Sequence, residues 1–378
     1  MTNMIEYHKM MLSDRYRTNT FKRAIFETVK PGDVVLDLGA GTGILSFFAC
    51  MAGAKRVYAV EVDSVIEIAK ELARENNLKD KITFINNVST DISLSEKVDI
   101  IISEILGSFG LEEDIIDYMA DARERFLKKS GVLIPSSIQM YLVPVETKDI
   151  YEDINFWKRN HFGIKFGALR KMAINNQYNR YIEKKNHLAR PILLKIVDLY
   201  KASQSYFNET AEFALTRQGI FYGLAGWFEA RLSEKVTLFT ASPDRTPSWN
   251  IAFFPVDKPT KVNKGDYITS KVSLSKWKGN VIWNWDIKVE TKSGKTVKLD
   301  HSTFRGFPMS KESLKKLSPE HQPRLNATTK IDQYILNQCN GKTSVLQIAK
   351  KLRRKYPGIF QSLDKALQRT ISVTSYNY

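Results

Sequence analysis

Two glutamates, Glu104 and Glu113, lie nine positions apart and could hold one cation between them. Gly107 and Gly110 stand between them, and glycine allows the backbone to reverse direction within a few residues. Two carboxylates that converge on a planar guanidinium would supply bidentate hydrogen bonds and pair its charge, and would favour one nitrogen for attack. The spacing therefore indicates a pocket for a flat cation.

The same letters fit a plainer interpretation, in which the acidic residues begin a helix. Glu112, Glu113 and Asp114 form an acidic cluster, and carboxylates stabilise the positive end of a helix dipole. The apolar run at 98–102 precedes them and predicts a buried parallel strand. A carboxylate that directly follows such a strand, as Glu104 does, lies at the edge where open α/β sheets bind ligands. The rest of the chain has to decide between the pocket and the helix start.

A glycine-rich turn at 39–43 follows another apolar run and predicts a strand, a turn and a helix in succession. Small residues let the backbone approach a ligand closely, and the N–H groups of the next helix face it. Twenty positions beyond Gly41, Glu61 ends the next predicted strand, where a carboxylate can bind the hydroxyls of a ribose. The glycine spacing differs from G-x-G-x-x-G, which disfavours a nicotinamide-dependent dehydrogenase. We expect an adenosine-bearing cofactor held by Asp37, Gly39, Gly41, Gly43 and Glu61.

The elements around these residues predict an α/β fold with a doubly wound, Rossmann-like sheet, because strand and helix patterns alternate up to about residue 135. After Pro135, short strand-like runs separated by turn residues predict a β-barrel. Helical spacing returns near residue 309. We therefore expect N-terminal helices at 1–30, a cofactor-binding domain at 31–135, a β-barrel domain at 136–308 and a small helical domain at 309–378.

Charge is distributed unevenly along the chain, which carries a net +16. Residues 1–146 carry −5, residues 147–309 carry +12 and residues 310–378 carry +9. An acidic pocket region suits a cationic substrate. It also argues against RNA at the site, because phosphate contacts require a basic lining.

The two cysteines, Cys50 and Cys339, match no metal-ligand spacing. We expect neither a metal nor a disulfide, and a cytoplasmic location. No apolar run approaches the roughly 18 residues of a membrane-spanning helix, and the first residues lack the apolar core of a signal peptide. We therefore expect no membrane partner.

Together these features resemble the protein arginine methyltransferases over about residues 7–305. Residues 11–18 are similar to that family's N-terminal helix motif, 35–43 to its S-adenosylmethionine glycine motif and 103–113 to its double-glutamate loop. The resemblance implies that S-adenosyl-L-methionine is the cofactor. It implies that arginine, free or within a peptide or protein, is the substrate. It also implies a homodimer, formed through a helical arm inserted into the barrel at about 155–190.

The resemblance also implies a role for each matching residue. Met11 would abut the acceptor, and Arg17 would bind the carboxylate of the cofactor. Glu61 would bind the ribose. Glu104 and Glu113 would be the catalytic pair that clamps the guanidinium of the arginine, which favours the pocket over the helix start.

The sequence departs from that family at two places. Residues 247–249 read Pro-Ser-Trp where the family commonly has Thr-His-Trp, so Ser248 replaces the histidine while Trp249 is kept; we expect both to contact the substrate. The branch that makes symmetric dimethylarginine also has serine there, and its loop also reads Leu-Gly-Ser-Phe. Ser89 stands where the family has an acid near the adenine, and we expect Val88 and Ser89 to contact the cofactor. The number and position of the methyl groups stay open.

The C-terminal residues resemble a different family. The spacing of Ile331, Ile335, Ser344, Ile348 and Leu352 is similar to PqqD-like domains, which bind leader peptides of ribosomally made natural products. That resemblance implies a leader or partner peptide at this domain. Two alternatives to an arginine methyltransferase therefore stay open: a methyltransferase that acts on another nucleophile in natural-product biosynthesis, and a non-catalytic scaffold that binds the cofactor.

Overall fold

The computed structural model describes residues 4–204, 206–241, 249–277 and 279–375. The contacts between residues divide the chain into two compact units, residues 1–308 and 309–378. The first unit begins with two helices, α1 (Met4–Ser13) and α2 (Arg15–Thr28). Helix α1 buries none of its side chains, whereas α2 buries Phe21, Ala24 and Ile25 against the core.

A five-stranded parallel sheet follows, with strands in the order β3-β2-β1-β4-β5. Its strand order reverses at β1, which pairs with β2 on one side and with β4 on the other. Ligands of open α/β folds bind beyond the carboxyl ends of strands at such a point. The elements of this part are β1 (Val34–Leu38), α3 (Ile44–Met51), β2 (Arg56–Glu61), α4 (Ile66–Glu75), β3 (Ile82–Asn86), β4 (Val98–Ser103), α5 (Ile115–Phe126) and β5 (Leu127–Ile134).

The central strands of this sheet are β1 and β4, and their burial explains their composition. All five residues of β1 are buried, as are all residues of β4 except Asp99. Strands covered by helices on both faces carry continuous apolar runs of this kind. The strands predicted before the glycine turn and at 98–102 are confirmed. Strand β5 was not predicted, because its first half is the polar, exposed run Lys128, Lys129 and Ser130.

Two antiparallel sheets form the β-barrel domain, as the short strand-like runs predicted. One sheet has the order β10-β6-β12-β14-β9 with β13 paired to β12, and the other has the order β11-β15-β16-β17. The strands outside the arm are β6 (Ser137–Val145), β10 (Ile192–Asp198), β11 (Phe207–Ala214), β12 (Gly219–Arg231), β13 (Thr237–Phe239), β14 (Ile251–Val262), β15 (Tyr267–Trp277), β16 (Asn280–Glu290) and β17 (Thr296–Ser302).

The arm, residues 155–190, follows helix α6 (Lys148–Ile154) and lies between β6 and β10. It contains β7 (Asn160–His161), β8 (Ile164–Lys165), α7 (Gly167–Ala173) and β9 (Tyr178–Arg180). Strand β9 pairs with β14, so the end of the arm belongs to a barrel sheet. Phe162, at the tip of the β7–β8 hairpin, is fully exposed.

The second unit is helical in its described residues. It contains α8 (Lys311–Lys315), α9 (Ala327–Leu336), α10 (Val345–Lys355) and α11 (Leu363–Thr374). Ile335, Ile348, Ala349, Leu352 and Ala366 form its core. Helical spacing in the sequence predicted the segments that form α9 and α10 but missed α11. Along the described ranges, no helix is long and apolar enough to cross a membrane.

Candidate active site

The glycine turn, residues 39–43, connects β1 to α3 in a backbone conformation that favours glycine. Gly39, Gly41 and Gly43 have φ values of 71°, 53° and 84°. The N–H groups of Gly39 and Ala40 donate to the Val60 carbonyl at 2.9 and 3.0 Å. A Cβ atom on Gly39 would lie 2.9 Å from Cγ2 of Ile105. The turn therefore needs glycine both for its positive φ and for the close approach of the neighbouring loop.

Glu61 is fixed at this turn by two backbone hydrogen bonds. Its Oε2 accepts from the Gly41 N–H at 2.9 Å, and its Oε1 accepts from the Asp63 N–H at 2.9 Å. The side chain of Asn86 donates to the Glu61 carbonyl at 2.9 Å, which holds the end of β2 against β3. The carboxylate is therefore positioned before any ligand arrives.

Asp37 lies behind the turn and is fully buried. The Ser46 hydroxyl donates to its Oδ2 at 2.6 Å, which ties β1 to α3. Burial raises the pKa of Asp37 to about 6, although the hydrogen bonds from Ser46 oppose this shift. Neither Asp37 nor Gly43 is among the described residues that line the adjoining cavity. Both residues shape the turn from beneath.

A cavity of about 510 Å³ opens above the turn. It is enclosed by α1, the start of α2, the ends of β1 and β2, and the loops after β3 and β4. The residues singled out from the sequence that line it are Met11, Arg17, Gly39, Gly41, Glu61, Val88, Ser89, Glu104 and Glu113. The structure thus brings residues from positions 11 to 113 to one opening at the switch point of the sheet.

Sequence reasoning missed several lining residues on α1. Met4, Tyr7 and His8 line the cavity together with Met11. Their spacing of three and four residues places them on one helical face, so periodicity could have identified them once Met11 was chosen. Tyr118 also lines the cavity, from α5.

Arg17 and Glu104 form an ion pair inside the cavity, with both side chains about nine-tenths buried. The Arg17 guanidinium also donates to the Met11 carbonyl at 3.3 Å and lies 5.6 Å from the ring centroid of Trp249. Burial lowers the pKa of Arg17 to about 10, while Asp14, Tyr7 and Glu113 oppose that shift. Trp249 is itself buried and packs edge-on against Phe228. Ser248 lies outside the described residues.

Glu113 lines the cavity, and its surroundings shift the pKa of its carboxyl group. Partial burial raises the pKa of Glu113, and the charge of Arg17 opposes the shift. Tyr7 faces this carboxylate: burial, and then the charge of Glu113, raise the pKa of the Tyr7 hydroxyl. A carboxylate with a raised pKa can accept a proton more readily than an ordinary one.

The acidic loop, residues 104–114, is held from the barrel side. Phe109 is fully buried, with its ring centroid 5.2 Å from that of Trp283 and 5.6 Å from that of Phe254. A Cβ atom on Gly226 would lie 2.6 Å from Phe109, so β12 leaves room for the ring. Lys276 of β15 contacts Asp114 at 2.7 Å. The sequence carried no local signal of these contacts, because the partners lie more than 100 positions away.

The loop that contains Val88 and Ser89 is held by Arg125 of α5. The Arg125 guanidinium donates to the Ser89 carbonyl at 2.6 Å and to the Ile92 carbonyl at 2.8 Å. Asp121 pairs with the same guanidinium at 2.6 Å. Within the described ranges, no group of three or more His, Cys, Asp or Glu side chains is arranged to hold a metal.

The shared cavity at the switch point of a parallel sheet places this chain among the Rossmann-like, ligand-binding α/β proteins. Two family models match parts of the chain. The model for "Ribosomal protein L11 methyltransferase (PrmA)" matches residues 18–161. The model for "Arginine methyltransferase oligomerization subdomain" matches residues 136–293.

Individual relatives identify the family. Protein arginine N-methyltransferase PRMT10 of Arabidopsis thaliana is 31% identical over 311 residues, which span 72% of this chain and 81% of the relative. The chain therefore belongs to the protein arginine N-methyltransferase family. Probable protein arginine N-methyltransferase 6.2 of Oryza sativa subsp. indica is 35% identical over 241 residues. That match spans 61% of each protein.

A solved structure supports the fold assignment. The Trypanosoma brucei PRMT1 enzyme–prozyme heterotetrameric complex with AdoHcy superposes with a TM-score of 0.72 at 25% identity. The match covers 78% of this chain and 97% of that one. The parallel sheet and the β-barrel are therefore an architecture shared with arginine methyltransferases.

Proposed function

We propose that this protein transfers a methyl group from S-adenosyl-L-methionine to a guanidinium nitrogen of arginine. One observation carries the proposal: Glu104 and Glu113 line the same cavity as the glycine turn and Glu61. A donor site and a cation site that share one cavity allow direct transfer between two bound molecules.

The cofactor part of the cavity contains groups that fit S-adenosyl-L-methionine. The fixed carboxylate of Glu61 would bind the ribose hydroxyls, and Val88 and Ser89 would contact the adenine. Arg17 is a buried cation suited to the carboxylate of the methionine part, which would replace Glu104 as its partner. Asp37 would act indirectly, because its bond to Ser46 fixes the turn. When bound, the cofactor supplies a methyl group on a sulfonium.

The acceptor part is formed by the two acidic residues. Glu104 and Glu113 would hold the guanidinium and localise its charge, which leaves electron density on the attacking nitrogen. Met11 and Trp249 would orient it for an in-line displacement. The guanidinium enters in its protonated form, because its pKa lies far above neutral pH. Glu113 is suited to accept the proton released in the transfer, because its pKa is raised.

Mass spectrometry of reaction products tests the proposed activity. The protein is incubated with isotopically labelled S-adenosyl-L-methionine and, separately, with free arginine, arginine-containing peptides, matched peptides with lysine in place of arginine, and RNA. We expect label on guanidinium nitrogens and none on the lysine peptides. Label on another nucleophile would identify a different methyltransferase. Tight cofactor binding without any labelled product would indicate a scaffold.

We further propose that the protein forms a homodimer through the arm. The match of residues 136–293 to an oligomerization subdomain supports this assignment. The exposed side chains of Phe156, Phe162 and Ile164 also support it, because large apolar side chains grouped on a surface favour association. Light scattering of the wild type and of Phe162→Asp should give a dimer and a smaller species, respectively.

We also propose a cytoplasmic location and a division of the chain into four parts. Residues 1–30 would serve the entry of ligands, and residues 31–135 would bind the cofactor. Residues 136–308 would contact the acceptor and the second copy of the dimer, and residues 309–378 would bind a peptide. Lys350, Lys351, Arg353 and Arg354 are exposed on α10, which supports capture of an acidic leader or partner segment. Lys350→Glu with Arg354→Glu should raise the KM of a substrate that carries such a segment, and leave the KM of a short arginine peptide unchanged.

A further inference from the structure

Glu112 precedes Glu113 in the acidic loop, and the proposed chemistry does not use it. Its side chain folds back onto its own loop. The Phe109 N–H donates to both carboxylate oxygens, at 2.9 and 3.0 Å, and the Leu111 N–H donates to Oε2 at 3.2 Å. The carboxylate of Glu112 thus joins the two ends of the bend that leads to Glu113.

The rest of the loop is shaped around this carboxylate. Gly107 has a φ of 64°, and a Cβ atom there would lie 2.6 Å from Oε2 of Glu112. Phe109, whose N–H bonds to Glu112, is the residue whose ring is anchored in the barrel. The glycine, the anchored ring and the carboxylate therefore form one rigid bend.

A residue of the arm completes the contact. Gln177 donates from Nε2 to Oε1 of Glu112 at 3.3 Å. It lies between α7 and β9 and is held in place by its neighbours. Asn175 accepts from the Ser302 N–H at 3.0 Å, and the Tyr178 hydroxyl donates to the Ala173 carbonyl at 2.7 Å. Gln177 is therefore fixed to the barrel and reaches from there into the acidic loop.

A buried carboxylate at the position of Glu112 is energetically unfavourable. Burial, with a smaller contribution from the charge of Glu113, raises the pKa of Glu112 to about 7, although the backbone hydrogen bonds of the loop oppose this shift. Asparagine or serine can close a turn without burying a charge. Glu112 instead reaches two backbone N–H groups and the arm at once, which a shorter neutral side chain would not do.

We propose that Glu112 and Gln177 are positioning residues that couple the arm to the acidic loop and so set the place of Glu113 relative to Glu104. This inference rests on the proposed function. Loss of the pair loosens the acceptor half of the cavity and leaves the glycine turn, which is held separately by Val60 and Glu61, unchanged. The arm then affects acceptor use through this contact.

The test measures acceptor kinetics and cofactor binding in three variants of the full chain: Glu112→Gln, Gln177→Ala and the double variant. Glu229→Gln and Gln139→Ala are matched controls, because both residues contact Tyr141 on the barrel and lie outside the cavity. Steady-state rates give kcat and KM for an arginine peptide, and calorimetry gives the Kd of S-adenosyl-L-homocysteine.

We expect Gln177→Ala to lower kcat/KM for the peptide about threefold to tenfold, as the loss of one hydrogen bond does. Glu112→Gln should lower it more, by about tenfold to a hundredfold, because a small displacement of a reacting group has effects of that size. The Kd of S-adenosyl-L-homocysteine should stay within about twofold of the wild-type value in both. The double variant should match Glu112→Gln alone, since coupled residues do not give additive effects.

Several results would overturn the inference. The first is a kcat/KM for the peptide in the Glu112 and Gln177 variants that equals that of the control variants. The second is a loss of cofactor affinity as large as the loss of kcat/KM. The third is a double variant in which the effects of the two single changes multiply. If Glu112→Gln fails to fold, Gln177→Glu takes its place in the test. The inference requires that this second carboxylate facing Glu112 reduces kcat/KM more than Gln177→Ala does. An inactive wild type would instead refute the proposed function.

Discussion

Two loops lie side by side at the carboxyl edge of the parallel sheet, and they are built differently. The glycine turn follows β1 and presents backbone; its supports, Val60 and Glu61, come from the neighbouring strand. The acidic loop follows β4 and presents carboxylates; its supports, Gln177, Lys276 and Trp283, belong to the arm and the barrel. The proposed cofactor half is thus supported by the parallel sheet, its helices and the N-terminal helices, whereas the proposed acceptor half also depends on the β-barrel domain.

This difference explains how one fold can keep the same methyl-donor cofactor while the molecule that accepts the methyl group changes. Backbone N–H groups and small residues accept the same cofactor wherever the strand, turn and helix recur. The acceptor half is made from side chains that a second domain holds in place. A change in the barrel or the arm can therefore alter acceptor use and leave the cofactor site untouched.

The largest expected separation of the two halves comes from Glu104→Gln and Glu113→Gln. Each change removes one charge from the guanidinium site, and we expect methyl transfer to fall about a thousandfold. Binding of S-adenosyl-L-homocysteine should persist, because the glycine turn is intact. Initial rates with labelled cofactor, together with calorimetry, check this. Near wild-type turnover in either variant would show that the carboxylate is not part of the clamp.

Phe109→Ala tests the dependence of the acidic loop on the barrel. Loss of the buried ring should reduce the free energy of unfolding by about 3 kcal/mol, since the flanking loop can partly close the gap. Methyl transfer should fall further than cofactor binding does. Phe213→Ala removes an equally buried ring from β11 and serves as the control. Denaturant unfolding and peptide kinetics check the pair; equal kinetics in the two variants would contradict the role of Phe109.

Gly41→Ala tests the other loop. Alanine at a φ of 53° is strained, and its Cβ would lie 3.3 Å from His8. We expect the affinity for S-adenosyl-L-homocysteine to fall about tenfold, because the turn and α1 must both shift. Calorimetry measures it. Unchanged affinity would show that the turn does not hold the cofactor.

A further prediction concerns the pH dependence of stability. The pKa of Glu112 is raised from 4.5 to about 7 in the folded protein, so the folded state binds more protons than the unfolded state between these values. Stability from this group is therefore fully present below pH 4.5 and is lost as the pH rises to about 7. The Glu112→Gln variant has no titratable group at this position and does not lose stability in this way. The free energy of unfolding of the variant, relative to that of the wild type, should therefore rise between pH 4.5 and about 7, as thermal melts would show. A difference between the two proteins that stays constant with pH would contradict this prediction.

The sequence predicted the cofactor half more fully than the acceptor half. The strand at Val34–Leu38, the turn after it and the strand that ends at Glu61 carry local patterns, and the structure contains all three. The spacing of Glu104 and Glu113 was visible too, but the supports of their loop were not. Phe109 and Trp283 are distant in sequence, and no local pattern joins them.

Other omissions have similar physical reasons. Tyr7 and His8 share a helical face with Met11, yet α1 buries no residue and gives little apolar signal. Asp37 was expected at the cofactor, but its carboxylate is buried against Ser46; sequence position cannot tell which face of a strand end reaches a ligand. Helix α11 buries Ala366, Thr370 and Val373, and the small and polar members of this stripe weaken its apolar signal in the sequence.

A crystal structure of the protein with S-adenosyl-L-homocysteine and an arginine peptide tests the central claim most directly. We predict that the guanidinium will lie between the carboxylates of Glu104 and Glu113, with one nitrogen facing the sulfur. A guanidinium bound elsewhere, with the two carboxylates turned away from each other in the ternary complex, would contradict the account.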